Sequence, residues 1–135
     1  MRILIGPLAV ALLAGCSTSP ISAENAKPVP RDRAFSFQSV STGNSTLIVT
    51  RDSGFTGGGC NTKIMLNGKL AAEVGAGESV TFHLPPGDVI IGADGKGICS
   101  GGLKERELTL QAGSVKRYRI SIDSSMSMDI SPTAM

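Results

Sequence analysis

The sequence predicts an all-β domain, a small antiparallel β-sandwich of about seven strands, and three observations carry that prediction. From residue 46 to 122 the chain breaks into short runs in which apolar and polar residues alternate, the period of a half-buried strand. Turn signals built on Gly, Pro and Asn separate those runs every eight to twelve residues. The chain holds 17 glycines, nearly all after residue 42, is rich in Thr, Ser and Val, and shows no helical periodicity longer than a turn. These residue types suit pleated strands and tight turns better than helices.

Taken in order, residues 46–51 (TLIVTR) form a β-branched strand. Residues 62–67 and 70–74 flank Asn67-Gly68, a hairpin signal because both turn residues accept positive φ. Residues 79–84 (SVTFHL) place Val80, Phe82 and Leu84 on one face and send His83 to the other. Pro85-Pro86-Gly87 ends that strand, since proline cannot donate to a ladder. Residues 88–93 form the next strand, and 107–111 turn Leu108 and Leu110 inward before Ala112-Gly113 reverses the chain. In residues 116–122, Tyr118, Ile120 and Ile122 share one side, with Arg117, Arg119 and Ser121 on the other. The tail, 124–135, offers a weak edge strand around 126–130 or frays.

The N-terminus has a different character. Arg2 precedes an apolar run from Ile3 to Leu12, and small residues follow, the order of parts in a secretory signal. The run is too short for a transmembrane helix, which needs about twenty apolar residues. Its last four residues, Leu13-Ala14-Gly15-Cys16, resemble the lipobox of a bacterial lipoprotein. That resemblance implies removal of residues 1–15, with Cys16 acylated on its sulfur as the new N-terminus. A diacylglycerol-modified and N-acylated cysteine carries enough chains for stable anchoring. Ser17 stands where Asp usually signals inner-membrane retention in enteric bacteria, which places the protein at the outer membrane, facing the periplasm. Residues 16–34 hold three prolines among Ser, Ala and charged residues. They read as a flexible, partly extended tether that holds the sandwich, 35–123, off the bilayer.

Without its signal the chain keeps about 120 residues, enough for one domain. Of 13 Lys and Arg, Arg2 leaves with the signal, so 12 face 11 Asp and Glu. That near balance argues against nucleic acid or an anionic membrane surface as a partner. With no Trp, one Tyr and four Phe, aromatic platforms for sugars or nucleobases are largely missing. Cys16 being taken by lipid, Cys60 and Cys99 remain, and an even pair in an oxidising compartment reads most simply as a disulfide. Closing a loop of about 40 residues would stabilise the fold by roughly 4 kcal/mol in the chain-entropy model. Metal ligation is the rival, with free thiols beside it, but His83 is the only histidine and there is no CxxC.

One stretch carries a further resemblance. In IMLNGKLAAEVGAGESVTFHLPPGDVIIGADGKG a strand ends in Asn-Gly, and a Gly-Glu step leads into an alternating strand. Pro-Gly then introduces a strand of aliphatics. The pattern, over about residues 62–122, resembles the PEGA-like and related small lipoprotein domains of bacterial envelopes. It implies a transthyretin-like β-sandwich with a binding or scaffolding role and no catalytic residues to carry over. The cysteine pair and the glycine-rich insert before it depart from a plain PEGA module.

The chemistry-bearing patterns are few. SGFTGGGC (53–60) lacks the Lys-Ser or Lys-Thr and the following helix of a phosphate loop. GADGKGICSGG (92–102) mirrors it around the second cysteine. A Cys60–Cys99 bond would draw both loops together, and the candidate binding surface is this paired-loop patch with Arg51, Phe55 and Lys96. His83 has no ligand partner. Glu105 and Glu107 share a strand face that solvation explains, Asp52 and Asp94 lack the crowded oxygens of a calcium site, and no Gly-x-Ser-x-Gly turn occurs. The sequence therefore points to a lipid-anchored envelope protein with a structural or protein-interaction role. It calls for no catalysis, cofactor, metal or small-molecule substrate, and its partners are the membrane and an envelope protein. The alternative is an inhibitor or immunity protein whose stapled loop plugs a cell-wall lytic enzyme.

Overall fold

Two sheets face each other across one apolar core in the computed structural model, which describes residues 17–54, 59–95 and 102–135. Nine strands occur among the described residues: β1 (Lys27–Pro28), β2 (Ser45–Arg51), β3 (Thr62–Leu66), β4 (Lys69–Val74), β5 (Glu78–Leu84), β6 (Gly87–Asp94), β7 (Leu103–Leu110), β8 (Val115–Ile122) and β9 (Met128–Pro132). One sheet has the order β1-β5-β2-β8-β9 and the other β4-β3-β6-β7. The all-β sandwich read from the sequence is the architecture of the protein.

Alternation decides which residues meet between the sheets. Leu47 and Val49 of β2, Phe82 of β5, and Ile120 and Ile130 of β8 and β9 are fully buried on one side. Ile64 of β3, Val74 of β4 and Ile91 of β6 are fully buried on the other, with Leu108 and Leu110 of β7 beside them. Val80, Phe82 and Leu84 do share the inward face, as do Tyr118, Ile120 and Ile122. Each buried aliphatic side chain is worth about 1.5–3 kcal/mol of transfer free energy, so this two-sided layer is the main stabilising term. Asn67 and Gly68 turn β3 into β4 with φ of 49° and 78°, the two positive values that a two-residue hairpin needs to match strand twist.

Three expectations change. The strands of the described residues number nine, because the short β1 and the tail strand β9 join the larger sheet. The pairing is mixed, because β2 runs parallel to β8 and β1 parallel to β5. Parallel neighbours must come from distant segments, which no local turn signal encodes. The second glycine-rich loop is also shorter than 92–102: the strand expected over 88–93 holds, and β6 and β7 pair in register from Gly87↔Leu110 to Asp94↔Leu103 with Gly92 inside β6.

The greatest departure is the segment expected to be a loose tether. Thr18 N–H donates to Ile122 C=O at 3.0 Å, and Ser19 forms an antiparallel bridge with Ser53. Lys27 and Val29 N–H then donate to Gly77 and Ser79 C=O at 2.9 Å each. A 3-10 turn, Arg31–Arg33, leads to Phe35, whose N–H donates to Ala71 C=O at 2.8 Å. Residues 17–34 thus run along the free edge of β5 and cross to β4 on the opposite sheet. Proline suits this place, because Pro28 and Pro30 sit where no outward donor is needed and blunt an edge open to further pairing.

Candidate functional site

Parallel β2 and β8 finish at the same end of the sandwich, where β3, β5 and β7 begin and β6 ends. The described residues 52–54, 59–61, 75–77 and 123–127 lie at that end. Charged residues gather there. Asp52, directly after β2, is buried, and Arg119 of β8 reaches it with Nε and an Nη, both 2.7 Å from the carboxylate oxygens. Thr18 Oγ1 donates to the same carboxylate at 2.8 Å and accepts from Ile122 N–H at 3.0 Å. The hydrogen bond to Asp52 raises the pKa of Arg119 against the opposing effect of burial.

A second ion pair lies beside the first. Arg33 grips Glu78 through two contacts of 2.7 Å and donates to Glu73 C=O at 2.9 Å. Glu78 also accepts from Gly75 N–H. Arg33 and this backbone donor hold the Glu78 carboxyl below its ordinary pKa against the opposing effect of burial. The glycine at 75 leaves room for that contact, because a Cβ there would come within 2.6 Å of Glu78 Oε1. Both ion pairs join a residue of segment 17–34, or the carboxylate that holds it, to the sandwich.

Of the expected binding residues, Arg51 is a correction. It continues the inward phase of Leu47 and Val49 and is 1 % exposed, so it cannot belong to an exposed patch. Its guanidinium donates to the C=O of Cys60 and of Val74, tying the end of β2 to the start of β3 and the end of β4. Burial lowers its pKa, and the charge of Glu78 offsets part of that. The alternation of β2 was the available signal for its burial. Cys16, Phe55, Lys96 and Cys99 lie outside the described residues. Cys60 is half-buried just before β3. The register Lys63↔Asp94 brings the attachment points of the two glycine-rich loops to one place on the four-stranded sheet.

Glu105 and Glu107 are exposed on the outer face of that sheet, and His83 is half-buried with its N–H donating to Phe37 C=O. Among the described residues no group of three or more His, Cys, Asp or Glu could hold a metal. Among the described residues no helix is long and apolar enough to cross a membrane.

The outer face of β3, β6 and β7 carries a surface that sequence reasoning missed. Gly92 pairs with Met65 on one side and Glu105 on the other. Its missing side chain leaves a depression of about 110 Å³ walled by Met65, Ile90 and Leu103 and rimmed by Asp94 and Glu105. Ile90 and Leu103 are 43 % and 51 % exposed, and Leu70 nearby is 37 % exposed. Gly92 is not in the left-handed region, so backbone conformation does not require a glycine there. A Cβ would stand 3.3 Å from Leu103 Cδ1 and from Met65 Cβ. Isolated exposed aliphatics are ordinary, whereas a cluster around a pit with a charged rim is the form of a contact surface. The volume suits one small aliphatic side chain, and the acidic rim favours a cationic neighbour beside it.

Compared with known proteins, the sequence matches no protein-family model and none of the curated proteins searched.

Proposed function

We propose that this chain is a bacterial outer-membrane lipoprotein, anchored through acylated Cys16 and facing the periplasm. Its sandwich serves as a structural or protein-interaction module without catalysis. The lipobox-like Leu13-Ala14-Gly15-Cys16 supports the anchor. The PEGA-like resemblance agrees with a small sandwich that scaffolds or binds. Cys60 and Cys99 form a disulfide in this reading, supported by the register Lys63↔Asp94, which sets the start of β3 beside the end of β6. No cofactor and no small-molecule substrate enter it.

The observation that carries the interaction role is the depression at Gly92, with exposed Ile90 and Leu103 as its walls. Its partner is a protein segment presenting an aliphatic side chain next to Lys or Arg. That chemistry matches an apolar floor inside a carboxylate rim.

Crosslinking in intact cells, followed by affinity capture and mass spectrometry, tests this. An envelope protein should be recovered with the wild type and with Val40→Asp, an exposed control that does not line the pit, and lost with Ile90→Asp or Leu103→Asp. A partner retained by both pit variants overturns the assignment of the face. A cell-wall lytic enzyme as the sole partner overturns the scaffold role in favour of an inhibitor.

A further inference from the structure

We infer that the lipid anchor seats the sandwich directly on the bilayer surface, with the end that carries Thr18, Asp52 and the turn 123–127 against the lipid headgroups. This rests on the proposed acylation of Cys16.

Chain reach decides the matter. Only Ser17 lies between Cys16 and Thr18, and an extended chain spans at most about 3.6 Å per residue step, so the two steps make roughly 7 Å available. The polar layer of each leaflet is about 5–7 Å thick. Acyl chains on Cys16 occupy the hydrocarbon, so Thr18 can rise little beyond the headgroups. Thr18 is itself part of the folded domain. Its N–H donates to Ile122 C=O at 3.0 Å, its hydroxyl donates to Asp52 at 2.8 Å, and Ile122 N–H donates back to that hydroxyl at 3.0 Å. The next residue is fixed too, with Ser19 N–H donating to Ser53 C=O at 2.8 Å and Ser53 N–H returning to Ser19 C=O at 3.0 Å. The slack that a tether of residues 16–34 would supply is therefore taken up against the sandwich.

The chemistry of this end fits a headgroup layer. Ser17 and Ser124 carry exposed hydroxyls beside the attachment point. The one carboxylate of the neighbouring turn, Asp123, accepts from Ser125 N–H, Ser125 Oγ and Ser127 N–H, so it is engaged by donors of its own turn. Val40 lies at the other end, beyond the start of β2, and is 82 % exposed. A seven-residue strand at about 3.3 Å per residue sets the two ends some 20–25 Å apart. The end that carries Thr18 and Asp52 then faces the membrane.

The chain has no tryptophan, so one introduced indole reports its own position. Ser124→Trp and Val40→Trp, each in the full acylated protein, are reconstituted into phosphatidylcholine–phosphatidylglycerol vesicles containing a headgroup-spin-labelled lipid. Ser124→Trp should be quenched roughly two-fold or more above Val40→Trp, since the headgroup zone spans only about 5–7 Å and the far end lies well outside it. Inserting ten Gly/Ser residues between Ser17 and Thr18 should bring the two down to equal quenching. Equal quenching without the insertion, in protein that carries the acyl mass on Cys16 and floats with the vesicles, overturns the seating and leaves the anchor standing. Absence of that acyl mass overturns the anchor and the seating with it.

Discussion

The buried carboxylate of Asp52 is held by Arg119 through two parallel hydrogen bonds of 2.7 Å, and Thr18 adds a third of 2.8 Å. Three segments meet at one carboxylate: the end of β2, the middle of β8 and the N-terminal strap. Removing a buried partner of such a pair costs about 3–5 kcal/mol, because the remaining charge loses its compensation. Arg119 is 29 % exposed in its side chain and can rehydrate, so the lower end applies. Asp52→Ala should lose about 3 kcal/mol in urea unfolding, and amide exchange at Thr18 and Ile122 should quicken. Unfolding within about 0.5 kcal/mol of wild type, the range of ordinary surface substitutions, would show that the pair does not hold the strap.

The second ion pair gives the protein an acid limit. Arg33, first among its influences, and Gly75 N–H lower the Glu78 carboxyl below the ordinary value. A carboxyl whose folded value lies below its unfolded one stabilises the fold above the unfolded value, about 4.3 for Glu. That contribution is lost as pH falls through the folded value. Thermal midpoints should be flat from about pH 7 to 5 and should fall below about pH 4.3 as Glu78 takes up a proton. Glu78→Gln should lower stability at neutral pH by about 1–3 kcal/mol, the worth of hydrogen bonds to a charged group, and should flatten the fall in acid. An undiminished acid fall in that variant would assign the titration elsewhere.

What the sequence made legible was decided by range. Period-two runs such as Val80-Phe82-Leu84 report a sheet face locally, and they placed the core. Asn67-Gly68 reports its turn the same way. The β2–β8 pairing joins residues that lie about seventy positions apart, and no local pattern states it. Arg51 was hidden by its charge, although the alternation with Leu47 and Val49 points it inward. Residues 17–34 look solvated by composition, yet alternate backbone donors at Lys27 and Val29 are enough to pair them with β5. Gly92 fell in both the strand 88–93 and the glycine-rich stretch 92–102, and only the register with β7 assigns it to the strand.

The cysteine pair is testable through stability. In the chain-entropy model, a Cys60–Cys99 bond closing about 40 residues contributes roughly 4 kcal/mol, and losing it should shift the urea midpoint without unfolding the core at rest. Thiol labelling of oxidised envelope fractions should leave both cysteines blocked. Cys60→Ser with Cys99→Ser should reproduce the destabilisation caused by reduction. Free labelling of both in the wild type would rule the staple out.

Gly92 separates folding from recognition. A methyl group at this position enters a space 3.3 Å from Leu103 Cδ1 and Met65 Cβ. The Leu103 side chain ends in solvent and can swing aside, whereas Met65 Cβ is fixed to its strand. Its φ suits any residue, so Gly92→Ala also gains the unfolded-state entropy of a glycine replacement, about 0.4–1 kcal/mol. The close approach to Met65 opposes that gain. Net stability should stay within about 1 kcal/mol of wild type, as for a substitution that neither opens a cavity nor strands a polar group. Gly92→Leu should fill the depression and displace the partner's side chain while the far-ultraviolet spectrum stays that of the wild type. Titration of the crosslinked partner against both variants checks this: graded loss from Ala to Leu assigns recognition to the pit. Unchanged binding by a folded Gly92→Leu protein would move the contact away from this face.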